Sequence, residues 1–101
     1  SEIFMLEQLE KIAANLERRL KKHNIAGKTV TLKIKYSDFT QQTRSKTVPY
    51  FIADKGLIIE NVKELLYQER MKDSVRLLGI SLSNLNTEQK KTVVVQLQFA
   101  F

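Results

Sequence analysis

Apolar and polar residues alternate from Thr29 to Ser37, with Val30, Leu32, Ile34 and Tyr36 on one side and Thr29, Thr31, Lys33, Lys35 and Ser37 on the other. That period of two predicts a β-strand with one face in a core. Upstream the spacing becomes three and four: Met5, Leu9, Ile12, Leu16 and Leu20 form one stripe, which predicts a helix from about Met5 to His23. The opposite side carries Glu7, Glu10, Lys11, Glu17, Arg18, Lys21 and Lys22, and Glu17 is placed to pair with Lys21 one turn on. Lys21 and Lys22 complement the helix dipole in the last turns, His23 reads as a C-terminal cap, and Gly27 suits the turn into the strand.

Downstream, Asp38 to Thr43 reads as a loop and Thr43 to Val48 as the returning strand. Here the pattern conflicts with itself. If Val48 points inward, strict alternation sends Arg44 and Lys46 inward too, where unpaired charge is costly. A bulge near Ser45, or a charged strand end running past the core, turns them out. Pro49 is expected to close the segment, because it cannot donate to a ladder.

Asp54 is placed to cap a second helix from about Lys55 to Gln68, with Ile58, Val62, Leu65 and Leu66 as its buried stripe and Gly56 weakening only the first turn. Glu69 to Ser74 is a charged connection. Val75 to Leu85 then reads as a strand, with Leu78, Ile80 and Leu82 inward and Gly79, Ser81 and Ser83 outward. Arg76 shares the inward phase and is expected to reach past the sheet's end. The order helix, strand, strand, helix, strand predicts an α+β domain, an antiparallel β-sheet with two helices packed on one face. The other face of the sheet is left open.

At 101 residues the chain fits one domain over residues 1–85, followed by a linker and peptide over 86–101. Lys plus Arg number 17 against 11 Asp plus Glu, a net charge of +6, which favours nucleic acid, a membrane surface or an acidic protein as partner. The absence of cysteine excludes disulfides, thiol nucleophiles and thiolate metal sites. No apolar run approaches a membrane span and no signal-peptide pattern is present, so a soluble, cytoplasmic domain is the simplest expectation. The chain starts at Ser1 without an initiator methionine, which suggests a piece of something longer.

Gly27 to Tyr50 carries Lys28, Lys33, Lys35, Arg44 and Lys46 against Asp38 alone. Lysine on a sheet face can simply prevent edge pairing. It can also follow a polyanion, since Lys33 and Lys35 are about 6.7 Å apart along the strand.

The block VTLKIKYSDF, then TRSKTVP, then VRLLGISLSNL resembles the C-terminal DNA-binding domain, or little finger, of Y-family translesion DNA polymerases, most nearly the bacterial DNA polymerase IV branch. The likeness runs over about residues 6–101. It implies that the open sheet face lies along duplex DNA, and that Lys33, Lys35, Ser37, Arg44, Ser45, Lys46 and Arg76 contact the primer-template backbone. If four of these neutralise phosphates, log affinity falls with log salt at a slope near about −3.6. Little fingers usually begin with a β-strand before the first helix, so the first strand is expected to be largely missing, with only SEIF remaining. The edge so exposed is a template for self-association.

The final segment changes character: NLNTEQKK is polar and TVVVQLQFAF is apolar. Gln96, Leu97, Phe99 and Phe101 fit the pattern by which, in the polymerases it resembles, a terminal peptide engages the replication sliding clamp. The bare residues also suit a β-strand that pairs with an exposed sheet edge of this or a neighbouring molecule.

No catalytic constellation is present: His23 is the single histidine, and there is no phosphate-cradling glycine loop and no metal-ligand spacing. Asp38 and Asp54 read as a turn residue and a cap. The resemblance implies that the parent's magnesium-binding carboxylates lie in another domain, and that this chain alone is not an enzyme and needs no cofactor. Two other readings stay open, a basic α+β RNA-binding domain and an interaction module acting only through its tail.

Overall fold

Helices α1 (Glu2–Lys22) and α2 (Lys55–Leu66) and strands β1 (Gly27–Tyr36), β2 (Gln41–Ile52), β3 (Val75–Leu85) and β4 (Val93–Gln98) follow in the order α1-β1-β2-α2-β3-β4 in a computed structural model that describes residues 2–68, 74–87 and 92–98. The strands form one antiparallel sheet in the order β2-β1-β3-β4. Both helices cover the same face: α1 lies over β3 and β4, α2 over β1 and β2, and the two touch each other. This is the predicted α+β arrangement, extended by a fourth strand.

The core is built by the predicted stripes. Leu9, Ile12, Leu16 and Leu20 of α1 and Ile58, Val62 and Leu65 of α2 meet Leu32, Ile34, Leu78 and Ile80 of the central strands, all essentially without exposure. At about 2 kcal/mol per fully buried aliphatic side chain, this layer is what fixes the register of β1 against β3. A slip of one residue would turn Val30, Leu32 and Ile34 into solvent.

The ends of the helices use local chemistry. At the start of α2 the Asp54 carboxylate accepts from Gly56 N at 2.7 Å and Leu57 N at 3.3 Å, as expected of an N-cap. Glu17 of α1 takes the Lys55 N–H at 2.6 Å, so α1 caps α2 across the interface. Glu17 also lies 3.6 Å from Lys21, the predicted pair. At the end of α1, Ile25 N donates to Leu20 O at 2.8 Å and Asn24 N to Lys21 O at 3.2 Å, with Asn24 at φ 54°. These bonds close a Schellman turn with His23 as the C-cap. The left-handed residue is therefore Asn24 and not Gly27. Gly27 has another reason: a Cβ there would stand 2.7 Å from Ser83 O and from Leu82 Cγ of β3.

Two expectations need correction. Residues 2–4 form the first turn of α1 and not a strand remnant. β2 begins earlier than predicted and runs through Pro49 to Ile52. This is possible because β2 is an edge strand, and between Thr47 and Ile52 its pairing with β1 is irregular, so the missing N–H of proline is not needed. The last segment takes the form that its bare residues suit: Val93–Gln98 pairs with β3 of its own chain as β4, where Arg19 of α1 donates to Val94 O on the tail strand at 3.2 Å.

Candidate nucleic-acid interface

The face of the sheet away from the helices is read directly from the register. Across β2, β1 and β3, Thr47, Thr29 and Ser83 form one row, Ser45, Thr31 and Ser81 the next, and Thr43, Lys33 and Gly79 the third. The row that follows is Gln41, Lys35 and Leu77. Directly paired residues in an antiparallel ladder share a face, so these rows form one surface of hydroxyl groups with lysines toward one end. No Asp or Glu lies in any row.

The hydroxyls are ordered across the strands. Thr29 Oγ1 lies 2.8 Å from Thr47 Oγ1, and Thr31 Oγ1 lies 2.8 Å from Ser45 Oγ. Asn84, at φ 52°, donates from Nδ2 to Thr29 Oγ1 at 2.6 Å. Each hydroxyl has one donor and two lone pairs, so the chain of bonds fixes rotamers while leaving hydrogen-bonding capacity toward solvent. The acidic residues of the helices, among them Glu7, Glu10, Glu17, Glu60 and Glu64, belong to the other side of the sheet. The separation gives the open face a positive field.

The expected site residues divide between the two sides. Lys33, Lys35 and Ser45 stand on the open face. Ser37 is exposed beside it, its N–H bonded to Ser74 O at 2.8 Å. Arg44 and Lys46 do not turn out, because no bulge occurs at Ser45: Arg44 pairs with Leu32 and Lys46 with Val30, both core positions. Arg44 Nη1 donates to Leu65 O at 2.8 Å and Leu66 O at 3.1 Å, and Nη2 donates to Gln42 Oε1 at 2.8 Å. It satisfies carbonyls at the C-terminus of α2, where the helix dipole favours a cation. Lys46 pairs with Glu64 of α2, and the hydrogen bond to Glu64 is the main cause that raises its pKa above the ordinary lysine value.

Arg76 reaches the surface by the device expected at Ser45. Lys35 pairs with Leu77 and Tyr36 with Val75, so Arg76 is the unmatched residue of a bulge in β3. Its guanidinium sits over the ring of Phe39, 4.4 Å from the centroid. Phe39 was not among the predicted contacts, although an aromatic residue within a polar turn is a signal readable in the sequence. Thr29 and Thr31 were likewise outward by pattern but unassigned, and the register adds Thr47 beside Thr29.

In the tail, Gln96 pairs with Gly79 and is exposed, while Leu97 pairs with Leu78 and packs half-buried against the core. Phe99 and Phe101 lie outside the described residues. Among the described residues no group of three or more His, Cys, Asp or Glu could hold a metal ion. No helix is long and apolar enough to cross a membrane.

A two-helix, antiparallel-sheet domain with an acid-free hydroxyl and lysine face defines the class; comparison with known proteins defines the family. Residues 3–99 match the impB/mucB/samB family C-terminal domain, and the chain belongs to that family. It is 45% identical over 94 residues to a protein named DNA polymerase IV from Leptospira interrogans, covering 85% of this chain and 26% of that protein. A DNA polymerase IV from Clostridium perfringens is 46% identical over 82 residues, covering 80% of this chain and 23% of its own length. A DNA polymerase IV 2 from Agrobacterium fabrum is 41% identical over 86 residues, covering 82% and 24%. The chain thus spans about a quarter of the relatives it matches.

Proposed function

We propose that this chain is the non-catalytic DNA-binding domain of an error-prone translesion polymerase, holding primer-template duplex while other domains, with their magnesium, carry out nucleotidyl transfer. The observation that supports this most is the open sheet face, where Lys33, Lys35 and ordered hydroxyls meet no carboxylate. Lysines would neutralise phosphates and hydroxyls would donate to phosphate oxygens. Neither reads a base, so binding would tolerate any sequence, as damage tolerance in the bacterial cytoplasm requires. Lys33, Lys35, Ser37, Ser45 and Arg76 make the contacts, and Arg44 and Lys46 support them from beneath through α2.

The test is duplex binding of the full chain across a salt series. Three cations on phosphates give a slope near about −2.7 in log affinity against log salt. A slope near zero rejects the assignment, and stronger binding to structured RNA favours an RNA-binding role.

A second partner, the sliding clamp, is supported by Gln96 and Leu97 with Phe99 and Phe101 in the expected spacing. Because Gln96 and Leu97 sit in the ladder of β4, clamp binding requires the strand to leave β3. Deleting residues 96–101 should abolish clamp binding and leave duplex binding intact. It should also shorten the cover over the β3 edge and promote self-association, which sedimentation would reveal. Loss of both activities on deletion would argue against two separate surfaces.

A further inference from the structure

The turn between β1 and β2 contains an arrangement that the fold itself does not require. Phe39 stands at φ 69°, a left-handed region unfavourable for a residue with a Cβ, and is 64% exposed. Over its ring lie two cations from different strands, Arg76 at 4.4 Å and Lys35 at 5.8 Å from the centroid. Their charges are therefore no more than about 10 Å apart, within one Debye length at moderate salt. Neither forms an ion pair with a carboxylate of the described residues. The carboxylate of Asp38, in the same turn, accepts from Thr40 N at 3.0 Å and Thr40 Oγ1 at 2.6 Å. Backbone strain, an exposed ring and two neighbouring like charges all weigh against stability here. Such local conflict belongs at sites of function.

We propose that Phe39 is a positioning residue, whose ring holds Lys35 and Arg76 together against one stretch of sugar-phosphate backbone at the lysine end of the open face. The inference rests on the nucleic-acid reading of that face. A long cationic side chain loses rotamer freedom when it meets a phosphate. Contact with the ring removes much of that freedom beforehand. A guanidinium lying over an aromatic ring keeps its N–H edge available, the geometry that suits a phosphate oxygen. The β3 bulge supplies the aim, since without it Arg76 would project toward the helices.

The experiment is fluorescence anisotropy of the full chain with a blunt duplex across a salt series, using wild type, Phe39→Leu, Phe39→Asn, Phe39→Tyr, Arg76→Gln and the double variant F39L/R76Q. Phe39→Asn guards against misfolding, because Asn tolerates the left-handed region. Both Phe39→Leu and Phe39→Asn should weaken binding by about fivefold and make the salt slope shallower by about one. Phe39→Tyr should restore both, and Phe39→Leu should cost little further in the Arg76→Gln background. Wild-type affinity and slope in the Leu and Asn variants would overturn the proposal while leaving the DNA reading standing. An undiminished Phe39→Leu loss in the Arg76→Gln background would overturn it too, since the ring would then act directly. If wild type itself shows no salt-dependent duplex binding, the underlying reading fails first.

Discussion

Arg44 on β2 and Arg76 on β3 meet the same problem in different ways. Each has the phase of the inward-facing residues of its strand, and each carries a charge that the core cannot hold unpaired. At Arg44 the strand keeps its alternation, and the helix provides the partner: the carbonyls of Leu65 and Leu66 receive the guanidinium. At Arg76 the strand breaks its alternation, and a bulge sends the side chain onto Phe39. The first arginine became part of the fold. The second rests on an exposed ring. Charge alone does not separate these outcomes; what separates them is whether a helix terminus lies beneath the strand.

The sharpest way to break this contrast is to remove Arg44. Arg44→Met keeps the apolar stem but abandons the α2 carbonyls, and it should cost about 2 kcal/mol, lowering Tm by roughly 10 °C in a thermal melt. A change below a few tenths of a kcal/mol would mean that the cap carries no weight. Arg76→Gln should do the reverse. Its stability should stay within about 0.5 kcal/mol of wild type, while duplex affinity drops several-fold at moderate salt. A substantial loss of stability at Arg76 would erase the distinction.

A smaller effect comes from Ser45→Ala, which removes one rung of the hydroxyl ladder. Its cost to stability should be about 0.5–1 kcal/mol by chemical denaturation, with a modest loss of duplex affinity and an unchanged salt slope.

The smallest effect is at Lys46, which shares Arg44's inward phase and is served by Glu64 on the same helix. The hydrogen bond to Glu64 raises the Lys46 pKa in the folded state. The stabilisation is therefore complete below the ordinary lysine value and is lost as pH rises through the raised one. The Tm difference between wild type and Lys46→Met should accordingly be present at neutral pH and vanish in strong alkali. A difference that grows with pH would contradict the sign.

Much of the fold was legible because its signals are local. The stripes of α1 and α2, the alternation of β1 and β3 and the Asp54 cap all stand in the structure where the pattern put them. The misreadings arose where the deciding atoms are distant in sequence. Nothing near Arg44 announces that α2 will end beneath it, so a local bulge looked necessary. Nothing near Gly27 shows that Ser83 O of β3 crowds it, and the turn was assigned to it in place of Asn24. Of the candidate site, Lys33 and Lys35 were readable from period two, whereas the meeting of Phe39 with Arg76 depends on a bulge that only the register reveals.

One measurement bears most directly on the account: the salt dependence of duplex binding for wild type, Arg44→Met and Arg76→Gln, each compared at a temperature where it is folded. The account predicts a slope near about −2.7 for wild type, the same slope for Arg44→Met, and one shallower by about 0.9 for Arg76→Gln. A flat wild-type slope, or an Arg44→Met slope as shallow as that of Arg76→Gln, would contradict it.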